Sequence, residues 1–580
     1  MKQAKYFILF VLMFFVASCT KGYLDVNENP NNPTTMAESK LLPYVQKAMA
    51  DNLGFGPSGA GGLSYALSVY THQITVREYP DKYGVEGVNM NTLWTNMYTR
   101  VIRNAEEIIR RSGESENSIY AGIAKILKAY TYSQLVDVFG EIPFSESNDY
   151  QGGAGASAPV FDDGKDVYPQ LLALIDEGIA DLKNNTAANP NKPGTDDLIY
   201  SGNVNSWVKA ANTIKLKLYN QIRLIQDVSG PVNQLITENN MIGTTATSFM
   251  FPYGTATSPD ERNPNFADYF ATQRSINISP WFYQIMKGYN TKDINGTAKD
   301  FNVFSGIEDP RIPYYFFNQL EADEPNVEGN PLEYRDGGFA SIVFGSVGVN
   351  RDKSHDKSTT VMGIYPAGGR YDDGEGMGGK GVTGSSGTGA VPFRMLTYAD
   401  RLFIEAELIQ AGVVPGGAAA AKDKLEQALV ESIAQVDLMV AKAGTVNQSV
   451  PKLAGTDEAD DFIDAVVDLF ENSDAEKQME IILTQKWISN FGANSVDCYN
   501  DYRRTNYPVI FDPNNEEMAP DHFFNPPIDG NIELDEQPPI PVVTSRSYPL
   551  SLPWSQRELE LNKNAPKQKT PASFKVFWMN

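Results

Sequence analysis

The sequence is poor in cysteine, histidine and basic residues, and each shortage excludes a class of function. Its 580 residues include two cysteines, Cys19 and Cys498, too few for a disulfide framework or a cysteine-based zinc site. Three histidines leave few ligands for transition metals. The formal charge of −24 argues against nucleic-acid binding and against docking on anionic lipid through a basic face. An apolar content of 42% nevertheless predicts a folded chain with a large core.

The N-terminus carries the one long apolar run, residues 6–16, which follows Lys2 and Lys5. Because a membrane-spanning helix needs about 20 apolar residues, this run predicts a signal peptide and no membrane span. Small residues then lead into Cys19, as in a bacterial lipobox, so we predict that Cys19 is acylated and becomes the mature N-terminus. Two or three acyl chains suffice for stable anchoring. The alternative is a secretory signal that is cleaved without lipidation.

The chain accordingly divides into three predicted parts. Residues 1–18 are the lipoprotein signal peptide, and residues 19–37, rich in Asn and Pro, are a lipidated flexible tether. Residues 38–580 form a single α-helical domain. Within it, residues from about 228 to 395 form a loop-rich insertion with few short strands, rich in Gly, Pro, Asn and aromatic residues. Loop-rich insertions of this length usually carry function.

Apolar residues at helical spacing predict four pairs of helices. The first helix of the first pair runs through Trp94 and Ile109 and stops at Gly113. The second helix of that pair runs from about Ile119 to Phe139. The other pairs are predicted at 167–182 with 207–225, 398–409 with 425–436, and 462–469 with 479–491.

Recurring helix pairs predict a mainly α fold. A tetratricopeptide-like helical-repeat scaffold and a generic helical bundle both fit, because no strict repeat of about 34 residues is visible. Asp162 and Asp163 are predicted to cap the first helix of the second pair.

Catalytic and phosphate-binding motifs are weak. Residues 374–379 spell G-x-G-x-x-G, but more loop follows where a phosphate-binding helix should begin. His72 is interpreted as a loop or core histidine and not as part of a catalytic triad. No acid/base pair can be selected among 72 carboxylates, so no catalytic residue and no organic cofactor are predicted. Four loop acids, Asp352, Asp356, Asp372 and Asp373, could bind a structural calcium ion, but solvent-exposed carboxylates without a metal are the favoured interpretation.

Aromatic residues are concentrated in the loops. Nine of the forty residues 251–290 are aromatic, which is about twice the whole-chain share of 11%. Residues 65–83 contain a second group of aromatic residues. Rings in loops suit stacking against sugar rings or peptide side chains, although many loop rings simply anchor the loop to the body. The ligand-binding residues predicted on this basis are Tyr79, Tyr83, Tyr253, Trp281, Tyr283 and Tyr289.

Several segments form a recognisable series in order along the chain. They are the lipobox with 23–27 (YLDVN), 124–144 (AKILKAYTYSQLVDVFGEIPF), 309–311 (DPR), 398–407 (YADRLFIEAE), 485–487 (QKW), 501–505 (DYRRT), and 546–549 (RSYP) with Asn562. This series resembles the SusD/RagB outer-membrane nutrient-binding lipoproteins of Bacteroidota. The resemblance spans almost the whole mature chain.

The resemblance implies a single α-domain built on four tetratricopeptide-like helix pairs. It also implies a lipid-anchored location on the outer face of the outer membrane, without catalytic activity. There, a member captures an oligomeric nutrient, glycan or peptide, and delivers it to a TonB-dependent barrel transporter of the SusC/RagA type. Only Cys19 carries over as a functional residue. Arg503 and Arg504 are expected to bond carboxylates and carbonyls within the scaffold, with Trp94 and Trp487 in the core.

Two other functions remain as alternatives. Helical repeats are interaction surfaces, which would suit a surface-anchored scaffold or adhesin without a small ligand. The abundance of acids and aromatics would suit a glycan hydrolase, which is the less favoured of the two.

Overall fold

The computed structural model describes residues 36–56, 59, 61–147, 158–271, 274–292, 297–330, 332–518 and 540–579. The predicted signal peptide, Cys19 and most of the predicted tether lie outside the described residues, as does His522. No helix within the described ranges is both long and apolar enough to cross a membrane.

The described part of the chain is mainly helical, which confirms the predicted fold class. Its helices are α1 Glu38–Leu53, α2 Leu63–Tyr70, α3 Asn91–Asn96, α4 Arg103–Ser115, α5 Ser118–Phe139, α6 Gly164–Leu182, α7 Val204–Ile222, α8 Ser229–Glu238, α9 Pro280–Met286, α10 Ile312–Tyr315, α11 Ile364–Ala367, α12 Tyr398–Gln410, α13 Gly417–Ala443, α14 Asp457–Glu471, α15 Ala475–Ser489, α16 Ser495–Thr505 and α17 Gln556–Leu561. A π-helical turn, Met97–Ile102, joins α3 to α4 without a break.

The four predicted helix pairs are present as α4–α5, α6–α7, α12–α13 and α14–α15. Asp163 caps α6 as predicted, because its carboxylate accepts from the Lys165 N–H at 2.9 Å. One predicted boundary is wrong: Gly113 does not stop the first helix, which continues to Ser115. The chain turns at Glu116 instead, where φ is +56°.

Helix α5 is the centre of the first half of the domain, and nearly all of its side chains are buried. Helix α6 crosses it at a pair of glycines. A Cβ on Gly122 would lie 2.6 Å from the Gly178 carbonyl oxygen, and one on Gly178 would lie 2.9 Å from that of Gly122. The two backbones touch here because neither residue has a side chain. This crossing therefore depends on two positions in different helices.

The strands are short, as the sequence predicts, and within the described residues they pair in twos, all antiparallel. They are β1 Ile74–Thr75, β2 Ile142–Pro143, β3 Phe161–Asp162, β4 Phe249–Phe251, β5 Asn277–Ile278, β6 Thr291–Lys292, β7 Ala298–Lys299, β8 Phe316–Phe317, β9 Tyr334–Asp336, β10 Phe339–Ser341, β11 Val361–Met362 and β12 Phe393–Leu396. The pairs are β1–β5, β2–β3, β4–β12, β6–β7, β8–β11 and β9–β10.

The insertion between the second and third helix pairs holds more helix than its sequence predicts. It includes α8, a ten-residue helix at Ser229–Glu238, and three shorter helices. Strand β12, at the end of the insertion, pairs with β4 at its beginning. Because these strands bring both ends together, the insertion leaves and re-enters the helical body at one place.

Candidate ligand-binding site

A polar cleft of about 550 Å³ opens where three loop segments meet. It is lined by residues within 77–84, residues within 346–352, and Ser545. The first segment joins β1 to α3, the second lies between β10 and β11, and Ser545 precedes α17. We call this space the Tyr79 cleft, since Tyr79 is the one aromatic residue that lines it.

The first segment has an unusual backbone at the cleft. Lys82 (φ +60°) and Tyr83 (φ +59°) are consecutive left-handed residues, a conformation that costs about 1–3 kcal/mol for each non-glycine residue. Long-range bonds hold the turn in place. The Ser545 N–H donates to the Lys82 carbonyl at 2.7 Å, and the Gly345 N–H donates to the Asp81 carboxylate at 2.8 Å. Ser545 and the residue just before the second segment, Gly345, therefore hold this strained turn of the first segment in place.

A buried ion pair forms the floor of the cleft. Arg351 contacts the Asp81 carboxylate at 2.5 Å and donates to the Val343 carbonyl at 2.7 Å. It also donates to the Val76 carbonyl, beside β1. Burial raises the pKa of Asp81, while Arg351 acts to lower it. The pair ties the first two cleft segments together.

Tyr79 is partly buried and packs edge-on against Tyr65, with ring centroids 6.0 Å apart. The Tyr65 hydroxyl in turn donates to Glu78 at 3.2 Å. Burial and the nearby Glu78 raise the pKa of Tyr79 to about 12, so its hydroxyl stays protonated at neutral pH. Lys82 forms no hydrogen bond or ion pair through its ammonium group within the described residues. The cleft thus offers a fixed ring beside a cation that is available to a ligand.

The charges that line the cleft balance, although the whole chain is strongly acidic. Three cations face three acids: Arg77, Lys82 and Arg351 against Glu78, Asp81 and Asp352. Much of this charge is already engaged, as Arg77 donates to the Lys353 and Arg274 carbonyls. A cleft with no net charge and many hydrogen-bonding groups suits a polar, uncharged ligand.

Four of the six rings predicted to bind ligand are packed in the core, which corrects their expected role as open stacking platforms. Trp281 is 1% exposed, and its indole N–H donates to the Val509 carbonyl at 3.2 Å. Tyr253 is 8% exposed and donates to Asp51 at 2.8 Å. Stacking requires an accessible ring face, and neighbouring residues cover the faces of these rings.

The other two corrected rings are Tyr83 and Tyr283. Tyr83 is buried below the cleft, with its hydroxyl 3.0 Å from the ring nitrogen Nε2 of His72. Tyr283 stacks on Phe339 with ring centroids 3.7 Å apart. His72 itself is a fully buried core histidine, and this burial lowers its pKa to about 3. The triad role rejected from the sequence therefore has no geometric basis.

Tyr289 is only partly buried. Its hydroxyl donates at 2.8 Å to the same Asp336 oxygen that accepts from Tyr283. The structure thus groups Tyr283 with Tyr289, and Tyr79 with Tyr83. Tyr79 is the one predicted ligand-binding residue that lines the cleft.

The DYRRT segment, residues 501–505, serves the scaffold, as predicted. Arg504 contacts Glu407 at 2.6 Å and Asp501 at 2.8 Å, all three buried. Arg503 donates to the carbonyls of Asp137 at 2.7 Å and Leu550 at 2.8 Å. The predicted core positions of Trp94 and Trp487 are confirmed, because both side chains are buried.

The glycine-rich loop and the loop acids form no site in the described structure. Residues 374–379 lead through turns into β12, so no helix N-terminus meets this loop. Burial raises the pKa of Asp372 to about 6, and Asn318 donates to it at 2.6 Å. Among the residues described, no three His, Cys, Asp or Glu side chains gather as they would around a metal ion. The calcium option therefore gains no geometric support.

A comparison with protein families identifies the class. Residues 30–526 match the SusD-like family described as starch-binding and associating with the outer membrane. The match covers most of the chain, so the chain belongs to this SusD-like family, as its sequence resemblance implies.

Solved structures share the fold along nearly the whole chain. A SusD/RagB family protein from Bacteroides thetaiotaomicron is 16% identical with a TM-score of 0.62, covering 94% of this chain and 99% of its own. A chitin-binding SusD homologue from Flavobacterium johnsoniae is 18% identical with a TM-score of 0.59, covering 93% and 98%. At this identity the likeness shows the fold alone. No curated protein matches the chain.

Proposed function

We propose that the chain is a cell-surface lipoprotein that binds an oligosaccharide in the Tyr79 cleft without altering it. The cleft carries the proposal. It combines an aromatic ring, balanced charge and many hydrogen-bonding groups, which suit the flat apolar face and hydroxyl edges of a sugar. The family description and the chitin-binding relative support a glycan over a peptide.

The remaining steps follow the family and the N-terminal sequence. Acylation at Cys19 anchors the chain to the outer membrane, and the tether places the domain outside the cell. The chain then delivers its ligand to a SusC-like TonB-dependent transporter. Cys19→Ser is expected to move the protein from the membrane fraction to the soluble fraction. Affinity purification from membranes is expected to recover a large β-barrel partner, and its absence would count against delivery.

Titration calorimetry with maltohexaose and chitohexaose tests binding. Tyr79→Ala should lower affinity about tenfold, because it removes the one ring that lines the cleft. Lys82→Gln should lower it about threefold by removing one charged hydrogen-bond donor. Lys82 is partly exposed, so this second variant tests the cleft even where the tyrosine change disturbs packing.

Tyr44→Ala is the matched control, since Tyr44 is an exposed tyrosine of α1 that does not line the cleft. Equal affinity in wild type and both cleft variants would refute the assignment of the site. Binding of oligopeptides and not of oligosaccharides would refute the ligand class. Release of shorter sugars during the titration would refute the non-catalytic role and favour the hydrolase.

A further inference from the structure

One aromatic side chain in the insertion is open to solvent, and it is not among those that the sequence selects. Only two aromatic side chains in the described residues are more than 40% exposed, Tyr44 and Phe270. Phe270 is 45% exposed. It belongs to the aromatic-rich stretch 251–290, whose other described rings are buried or partly buried.

The Phe270 ring is held by an arginine. The Arg262 guanidinium carbon lies 4.0 Å from the centroid of the ring. Asp260 fixes that guanidinium by accepting from Nε at 2.9 Å and from Nη2 at 2.7 Å. Such a cation–ring contact is attractive, because the guanidinium charge lies over the electron-rich face of the ring. The ring is therefore positioned although it remains open to solvent.

Polar groups lie beside the ring. Gly384 lies against Phe270, and a Cβ at Gly384 would be 3.1 Å from the Phe270 Cβ and 3.9 Å from Arg262 Nη1. The exposed hydroxyls of Thr383 and Ser385 flank that glycine, 2.9 Å from each other. This half-exposed ring, with the Arg262 guanidinium over it and the Thr383 and Ser385 hydroxyls nearby, presents an apolar surface beside hydrogen-bonding groups, which matches the two surfaces of a sugar residue. We call Arg262, Phe270, Thr383, Gly384 and Ser385 the Phe270 platform.

The platform lies within reach of the Tyr79 cleft. Arg77, which lines the cleft, donates from Nη2 to the Arg274 carbonyl at 2.9 Å. Phe270 lies four positions before Arg274, so their Cα atoms are at most about 14 Å apart, and the Phe270 Cα lies within about 20 Å of the Arg77 guanidinium. An extended hexasaccharide is long enough to reach from Arg77 to the platform, whereas a disaccharide is too short to contact both.

We infer that the Phe270 platform is a second contact site for the glycan, which makes the protein selective for oligosaccharides long enough to reach it from the Tyr79 cleft. This inference rests on the proposed function and adds ligand length to it. Linking two contacts in one ligand raises affinity for the long ligand and leaves that for the short ligand unchanged.

The test compares ligand lengths on the full chain by titration calorimetry. Phe270→Ala should weaken binding of maltohexaose or chitohexaose by about fivefold, from the lost apolar contact of a half-exposed ring. It should leave maltose and chitobiose binding unchanged. Phe270→Tyr keeps the ring and should keep the affinity for the hexasaccharide. Tyr44→Ala, at the other exposed ring, should have no effect at either length.

Melting temperatures provide the check on folding, and Phe270→Ala should shift them little because the ring is exposed. Hexasaccharide binding that Tyr79→Ala weakens and Phe270→Ala leaves unchanged overturns this inference and keeps the proposed function. An equal loss for both ligand lengths also overturns it, since that result indicates one site. Failure of every oligosaccharide to bind the wild type overturns the proposed function itself.

Discussion

Glu407→Gln should destabilise the protein far more than its conservative shape suggests. Glu407 is buried on α12 and is shared by two arginines, Arg504 at 2.6 Å and Arg223 at 2.9 Å. Its side chain also accepts from Asn220 at 2.7 Å. Glutamine fills the same space, so no cavity forms. The change removes the negative charge, replaces one accepting oxygen by an NH2 group that faces a donor, and leaves two buried guanidinium groups close to each other.

The size of the loss follows from burial. Removing one partner of a buried ion pair costs about 3–5 kcal/mol, because an uncompensated charge remains in a region of low dielectric constant. The matched control is Glu471→Gln, since Glu471 pairs with Lys422 at 2.9 Å on the exposed surface. Surface pairs contribute less than about 1 kcal/mol. Urea unfolding followed by tryptophan fluorescence measures both variants.

The pH dependence of stability in wild type and in Glu407→Gln gives a second measurement. Burial alone would raise the pKa of Glu407, but Arg504 and Arg223 outweigh it and hold the pKa below its ordinary value of 4.5. The stability that this carboxylate contributes is thus present above about pH 4.5 and is lost as the pH falls below it. The gap between wild type and Glu407→Gln should narrow in acid. A loss equal to that of the surface control, or a gap independent of pH, would refute the reasoning.

Three further predictions concern packing and charge. Trp281→Ala should lower the free energy of unfolding, measured with urea, by about 3–5 kcal/mol, because the indole is a buried core side chain. A variant as stable as wild type would instead support the ligand-binding role that the sequence predicts. Gly122→Ala should lower the free energy of unfolding by about 1–3 kcal/mol, because the new Cβ forces α5 away from Gly178. Gly113→Ala is the control and should be neutral or stabilising, since its Cβ meets no atom within 4 Å. Equal melting temperatures of the two variants would refute the close crossing. Burial raises the pKa of Asp268 from 3.8 to about 6, although the backbone N–H groups of Ile276 and Ser275 donate to its carboxylate and act to lower the pKa. The stability that Asp268 contributes is therefore present below pH 3.8 and is lost as the pH rises through 6. Asp268→Asn should therefore gain up to about 3 kcal/mol relative to wild type between pH 4 and pH 8, and parallel stability curves for the two proteins would contradict it.

The helices could be predicted from sequence because their signals are local. Apolar spacing along α12 and α14 identifies a buried face whatever that face packs against. The scaffold role of Arg504 is implied by the family resemblance of its segment, and the structure supplies the buried acidic partners, Glu407 and Asp501. Gly113 failed as a helix stop because an exposed glycine costs a helix only about 1 kcal/mol, which the neighbouring turns overcome.

The chain's amino acids alone determine four helix pairs and membership of a family, and they predict a leader that ends at a lipid-acceptor cysteine. They do not determine which rings remain open. The buried Trp281 donates to the Val509 carbonyl, 228 residues away in sequence. The exposed Phe270 lies against Gly384, more than a hundred residues away in sequence. The Tyr79 cleft likewise requires Arg351 and Ser545 to meet the turn at Lys82. Exposure is a property of contacts between distant segments, so only the tertiary structure decides it.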